Sequence, residues 1–262
     1  MKKALFLLYG VVAYIIFLGT FLYAIGFVSS LLVPKHIDSI PDVPLGNALL
    51  INAGLLTLFA LQHSIMARPA FKKWWTMVVP EPIERSTYVL FSSICLIILF
   101  YYWQPLGGVV WGVESPALRL ALQVLSMLGF TIVLVTTFLI NHFDLFGLRQ
   151  VWLYATGRPY EHLPFRTPLF YMYVRHPLYL GFLIAFWSTP TMTVAHLFFA
   201  IMTTGYILTA IQLEENDLVK TFGKRYREYK QTAPMIIPFF RSKPKSTGME
   251  FDNETSTRKV NS

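Results

Sequence analysis

Long stretches without a formal charge set the first limit on how this chain can fold. No Asp, Glu, Lys or Arg interrupts residues 4–32, and comparable apolar runs cover 46–66, 87–103 and 118–141. Each approaches or exceeds the ~20 residues that a helix needs to cross a hydrocarbon layer. Charged residues make up 14% of the 262-residue chain, against about 25% in soluble domains. The first run resembles a signal peptide but is far longer than the ~7–15 residues of a cleavable core, and it has no clear small-residue cleavage site before Pro34. It reads as a retained membrane helix.

After Pro177 the pattern changes. A short apolar piece, 178–188, meets Thr189-Pro190 and is followed by a longer one, 192–212. Proline disfavours helix in the residue before it, so the pair predicts a turn and the whole stretch a helical hairpin with a short first arm. The fold class expected is therefore all-α: a polytopic membrane helical bundle of about five to six transmembrane helices, including this C-terminal hairpin. Residues 1–240 form one integral membrane domain. Residues 241–262 form a polar tail without periodicity, expected to be disordered in the cytoplasm.

Lys and Arg fix the expected orientation. With the N-terminus in the cytoplasm and the chain crossing alternately, the cytoplasmic pieces hold Lys2 and Lys3, then Arg68, Lys72, Lys73 and Arg85. They also hold Arg149, Arg158, Arg166 and Arg175, and every basic residue after Gln212, leaving only Lys35 and Arg119 of the 22 outside. This predicts an even number of crossings with both termini in the cytoplasm. The net charge of +8 then meets anionic headgroups of membrane lipid and calls for no nucleic acid. The lone Cys95 cannot form an intrachain disulfide and reads as a small apolar filler.

Polar residues gather at the cytoplasmic ends. Arg175-His176-Pro177-Leu178-Tyr179-Leu180-Gly181 opens the hairpin, and Glu214-Glu215 closes it, followed by Phe222-Gly223, Tyr226, Tyr229, Pro234 and Pro238. Proline suits the first turn of a helix, which puts His176 at the N-cap and turns free N–H groups of Tyr179 and Leu180 toward an anion or hydroxyl. Gly181 permits a close approach to the backbone. Arg175 and Arg166 can donate to a carboxylate, and Tyr171, Tyr173 and Tyr179 offer aromatic walls to a cation. The same residue types also serve as an interfacial helix start with a snorkelling arginine.

These two blocks resemble membrane methyltransferases of the isoprenylcysteine carboxyl methyltransferase and phospholipid methyltransferase type. A longer resemblance, carried by "LLVPKHIDS" (31–39), "LQHSIMARPAFKKWW" (61–75), "ERSTYVL" (84–90) and "NHFDLFGLRQVWLY" (141–154), is to the bacterial methanethiol S-methyltransferases of the nurim family. It implies S-adenosyl-L-methionine as methyl donor and methanethiol, a small thiol, as acceptor, giving dimethyl sulfide. Position by position, it implies donor contacts at Gln150, Pro164, Phe165, Arg166, Tyr171, His176, Pro177, Tyr179 and Glu215, to which the residue chemistry adds Arg175 and Glu214. The carboxyl methyltransferases carry an arginine a turn before their acidic run. Here "YILTAIQLEE" has none, which argues against a prenylated carboxylate as acceptor.

A thiol attacks as the thiolate, so a proton acceptor is expected. The candidates are His142 and Asp144, at the end of the fourth apolar run, and His63, near the end of the second; backbone capping and water bridging are the alternatives for each. His142, His162 and His176 lack metal-ligand spacing, and no cysteine pair or HExxH accompanies them, so no metal is expected. No glycine-rich phosphate loop or Rossmann fingerprint appears. Rival readings keep the donor with a lipid amine, another thiol or an isoprenoid as acceptor, or make the chain a non-catalytic nurim-like membrane protein. A transporter would carry charges at mid-helix, and here the apolar centres are nearly free of them.

Overall fold

Proline decides where four of the helices begin. Pro69, Pro82, Pro116 and Pro177 each stand in the first turn of a helix, where a missing N–H leaves no bond unmade. The computed structural model describes residues 1–40, 43–161 and 163–238; the polar tail expected over 241–262 lies outside these, as does His162. In chain order the elements are α1 (Lys2–Ser29), α2 (Leu45–Ala67), α3 (Pro69–Trp75), α4 (Glu81–Tyr102), β1 (Val109–Gly112) and α5 (Pro116–Ile140). They continue as α6 (His142–Leu145), α7 (Leu148–Thr156), α8 (Pro177–Trp187), β2 (Thr191–Thr193), α9 (Val194–Phe222) and α10 (Lys224–Thr232). Helices α1, α2, α4, α5 and α9 are long and apolar enough to cross a membrane, as the sequence predicts. Their outward residues, among them Leu8, Ile15, Leu50, Leu120 and Ile201, remain exposed, which is the belt that lipid covers.

Side-chain and backbone bonds sort the helix ends into two levels. At one end Trp103 Nε1 donates to the Ile37 carbonyl (3.2 Å), Asn52 exchanges two bonds with the backbone of Gln104, and Asp38 accepts from Thr193. Phe27, Trp103, Phe186 and Phe199 pack there into the largest apolar cluster. At the other end Arg68 pairs with Asp217 (2.8 Å), Lys72 with Glu84 (3.2 Å) and Arg175 with Glu215 (2.7 Å). The ionic end is the one that carries the sequence motifs.

The hairpin has an unusual first arm. Helix α8 has 11 residues, or about 16 Å at 1.5 Å per residue, half of a hydrocarbon layer. It stops where Trp187 Nε1 donates to Thr204 Oγ1 (3.0 Å), ten residues into α9. Extended chain covers the rest of the depth: β2 pairs antiparallel with β1, and the Pro190 carbonyl accepts from Val113 N–H (2.9 Å). The turn predicted at Thr189-Pro190 is present, and the apolar run 192–212 begins as a strand before it becomes helix. Helix α9 continues ten residues past Gln212 because Glu215 and Asp217 find basic partners on neighbouring elements.

Gly181 does admit a close approach, and what approaches is α5. A Cβ on Gly181 would lie 2.7 Å from the Gly129 carbonyl oxygen, and one on Gly129 would lie 2.6 Å from Gly181 O and Ala185 N. Ser126 Oγ donates to Ala185 O (2.9 Å) across the same crossing. Two apolar helices in lipid gain little by hiding apolar surface from each other, so small residues that let backbones touch hold them together.

Candidate active site

The Arg-His-Pro corner is assembled by the chain's last described turn. Arg175 N–H donates to Pro234 O (2.8 Å) and His176 N–H to Met235 O (3.1 Å), which ties residues 175–176 to 234–235. Arg175 Nη1 donates to the carbonyls of Lys230 (3.1 Å) and Ala233 (2.6 Å), filling acceptors that the end of α10 leaves open. Arg175 Nε then reaches Glu215 Oε1 (2.7 Å), and Lys230 Nζ holds Glu215 Oε2 (2.7 Å). His176 Nε2 lies 3.1 Å from Glu215 Oε1; the carboxylate only accepts, so this nitrogen carries the hydrogen. Glu215, 2% exposed, is thus engaged on both oxygens by three side chains.

Glu214 differs in every respect. Its side chain is 43% exposed and lies 3.8 Å from His176 Nδ1. The Tyr179 hydroxyl bonds to it. The acidic pair therefore divides into a carboxylate that holds the corner closed and one with an oxygen available. Pro177 begins α8 with His176 as N-cap, as predicted. The Leu180 N–H predicted to be free is not: it donates to His176 O (3.0 Å) as the first bond of the helical ladder.

Aromatic side chains wall the same region. Phe165 packs on Phe222, Tyr226 and Tyr229 with ring centroids 5.1–5.7 Å apart, and the Arg225 guanidinium lies over its ring. Tyr229 donates its hydroxyl to Tyr171 O. Burial raises the phenol of Tyr171 above its ordinary value and that of Tyr229 to about 12, so both remain neutral donors. Pro164 and Arg166 are exposed beside Phe165, and Arg166 has no ion-pair partner among the described residues. Tyr173, read from sequence as a third wall, is 65% exposed and shares in none of these ring contacts.

A second polar cluster adjoins the corner from α2, α4 and α9. The Tyr88 hydroxyl lies within reach of both ring nitrogens of His63, 2.9 Å from Nε2 and 3.0 Å from Nδ1, and Ser92 Oγ lies 3.1 Å from Nδ1. Ser92 spends its own hydrogen on Tyr88 O, so Nδ1 donates to it and Nε2 accepts from Tyr88. Ser64 bonds to the Tyr206 hydroxyl (3.2 Å), and Phe59 stacks on His63. Tyr88, Tyr179 and Tyr206 are electrostatic neighbours of one another, and Glu214 acts on the first two. Glu214, bonded to Tyr179, thus lies within electrostatic reach of the His63 cluster.

His142 and Asp144 belong to a third network, where α5, α6 and α7 meet α1. His142 receives the Tyr14 hydroxyl at Nε2 (2.8 Å) and donates through Nδ1 to Thr137 Oγ1 (2.8 Å), whose hydrogen is committed to Leu134 O. Phe138 stacks on its ring at 4.1 Å, and burial holds the imidazole below its ordinary value. Asp144 pairs with Arg149 (2.8 Å) and accepts from Gln150 Nε2. No hydrogen bond, ion pair or ring contact of His142, Asp144 or Gln150 reaches Arg175, His176, Glu214 or Glu215. Gln150 Oε1 is buried without a partner, as is Gln62 Oε1 beside His63.

The sequence pointed to His63 and missed Tyr88, Tyr206 and Lys230. The signal for the two tyrosines was their position among Ser, Thr and Arg within apolar runs. Lys230 sits in "KRYREYKQ", which reads as an ordinary basic surface. No group of His, Cys, Asp and Glu among the described residues has the arrangement of a metal site.

Comparison with known proteins places this geometry. Residues 50–232 match the family described as NnrU protein. A methanethiol S-methyltransferase of Crocosphaera subtropica is 54% identical over 243 residues, covering 93% of this chain and 95% of the relative. One from Mycobacterium tuberculosis is 50% identical over 239 residues, covering 91% and 98%. Nurim of Xenopus laevis is 34% identical over 175 residues, covering 64% of this chain and 61% of nurim. No solved structure matches. With a family match through most of its helices and half its residues shared along nearly its whole length, the chain belongs to the NnrU protein family, in the group of the methanethiol S-methyltransferases.

Proposed function

We propose that this integral membrane protein methylates methanethiol to dimethyl sulfide with S-adenosyl-L-methionine as donor, at the ionic end of the bundle facing the cytoplasm. The observation that carries the reading is the 50–54% identity to methanethiol S-methyltransferases over more than nine-tenths of the chain. The asymmetry of Lys and Arg supports both termini in the cytoplasm, with a bacterial inner membrane as the site.

The residues present fit the donor. Glu214 keeps an oxygen for an ammonium or a ribose diol, and Arg166 is an uncommitted cation for a carboxylate. The half-buried Phe165 and Tyr229 rings, backed by the buried Tyr226, offer an apolar surface to a flat base. The orphaned acceptor Gln62 Oε1 suits an amine or hydroxyl hydrogen, because a buried acceptor without a donor costs about 1–3 kcal/mol; Gln150 lies in the separate network of His142 and Asp144. When bound, the donor supplies an electrophilic methyl on a sulfonium, and the thioether left behind is neutral and needs no acid. Arg175, His176, Pro177, Lys230 and Glu215 hold the corner; Tyr171 and Tyr179 complete its walls.

His63 and Tyr88 take the thiol proton. The Tyr88 oxygen accepts the S–H proton while its own hydrogen passes to His63 Nε2, along the 2.9 Å bond already in place. The thiolate left by this relay would be the nucleophile for the methyl that the donor supplies when bound, and the released proton would reside on His63. His142 makes the same pattern of bonds with Tyr14, but in an aromatic box away from Glu214, and it positions α1 against α6. The test is direct: purified protein in detergent, given methanethiol and S-adenosylmethionine, is expected to release dimethyl sulfide into the headspace. Intact, donor-binding protein that releases none refutes the acceptor assignment.

A further inference from the structure

A cavity of ≈ 90 Å³ lies between α2 and α9, lined by Leu56, Phe59, Ala60, Met202, Thr203 and Tyr206 among others. Its location is specific. Phe59 stacks on His63 at 5.2 Å and meets Tyr206 edge-on at 6.1 Å, so the cavity ends on the rings that cover the proton-accepting cluster. Thr203 turns its hydroxyl back to the Phe199 carbonyl (2.6 Å), and the remaining lining is apolar apart from Thr57 and from Tyr206, which is bonded to Ser64. Met202 and Thr57, on the rim, are exposed on the flank of the bundle that lipid covers.

We propose that this cavity seats the acceptor, a one-carbon thiol that enters from the lipid between α2 and α9. Its methyl lies against Leu56, Phe59 and Met202 and its sulfur toward Tyr206. The inference rests on the methyltransferase reading above and adds the place and the size limit of the acceptor. Methanethiol is small, uncharged and partitions into hydrocarbon, so a door on the membrane side supplies it at higher local concentration than a door on the water. Drug-sized ligands occupy ~300–1,000 Å³; methanethiol fits within this space, whereas a prenyl chain or a lipid amine would extend well beyond it. Tyr206 stands eight residues before Glu214 on α9, about 12 Å along the helix, so the cavity holds the thiol on the membrane side of the donor corner before it advances past Tyr206 to the Tyr88 hydroxyl.

Three variants test this in the full-length protein. Ala60→Met fills the cavity and is expected to raise the KM for methanethiol at least tenfold, with the Kd for S-adenosylmethionine changed less than twofold. Met202→Ala enlarges it and is expected to raise kcat/KM for ethanethiol relative to methanethiol several-fold. Thr203→Cys, in a Cys95→Ala background, places a thiol in the wall. Its labelling by methyl methanethiosulfonate, read as a mass increase, is expected to slow at least threefold with dimethyl sulfide present. The labelling needs no turnover and separates the two claims. Slowed labelling in a protein that does not methylate methanethiol keeps the cavity as a small-thioether site and removes the reaction. An active protein whose KM and labelling rate are indifferent to Ala60→Met and to dimethyl sulfide overturns the cavity assignment and leaves the reaction standing.

Discussion

The adjacent acids Glu214 and Glu215 are chemically identical, and the structure predicts opposite consequences for replacing them. Glu215→Gln keeps the shape and removes the charge. The Arg175 side chain, 10% exposed, then loses its carboxylate inside the protein. Breaking one side of a buried pair costs about 3–5 kcal/mol. Arg175 retains the carbonyls of Lys230 and Ala233, and Lys230, 37% exposed, can turn to water, so the lower end, about 3 kcal/mol, applies. Glu214→Gln removes a charge from a side chain that is 43% exposed, where replacement shifts stability by less than about 0.5 kcal/mol. Its cost falls on the donor instead. A hydrogen bond to a charged group contributes about 1.5–3 kcal/mol, and at 1.4 kcal/mol per decade the Kd rises roughly 10- to 150-fold. Denaturant titration in mixed micelles reads the first effect, and isothermal calorimetry with S-adenosylmethionine reads the second. If Glu214→Gln destabilises as much as Glu215→Gln, or leaves donor affinity intact, the division of labour is wrong.

Further outcomes follow from the same geometry. Tyr88→Phe keeps the ring and removes the hydroxyl between His63 and the corner; turnover is expected to fall about 10²- to 10⁴-fold with donor Kd unchanged, and unaltered turnover would exclude the relay. Burial keeps His142 neutral and lowers its pKa in the folded protein, so the unfolded chain takes up the proton first as pH falls. Its contribution to stability is complete above the ordinary value of about 6.5 and is lost as pH drops below it; His142→Gln should flatten the pH dependence of unfolding between pH 7.5 and 5, and an unchanged slope would contradict this. Gly129→Val puts atoms where Gly181 and Ala185 already are and is expected to cost at least about 1–3 kcal/mol by overpacking, read as a lower unfolding midpoint, with Gly129→Ala in between. A midpoint equal to that of the parent would mean that α5 and α8 do not cross at backbone contact.

The crossings, the hairpin and the basic end were legible because each is written in composition or in local sequence. An apolar run of sufficient length admits few solutions in a bilayer, and Pro177 needs only its own φ angle to start α8. Other features hang on which side chains meet across the fold. Whether Glu214 or Glu215 is the open carboxylate depends on Lys230 returning from α10 and on the bond between residues 175–176 and 234–235, partners 15 and more residues away. His63 and His142 read alike in sequence, each a histidine at the end of an apolar run with a tyrosine partner supplied from another helix. Only packing brings Tyr88 within electrostatic reach of Glu214 and closes Tyr14 within aromatic rings.

By itself the sequence determined a membrane-embedded helical bundle and the chemical inventory at one end, because length, hydropathy and proline act locally. Tertiary structure decided which of two equal acids is exposed, which of two equal histidines shares its tyrosine with the field of Glu214 and where a cavity remains between α2 and α9. Charge pairing and packing are properties of neighbours in space, and the chain brings those neighbours from distant segments.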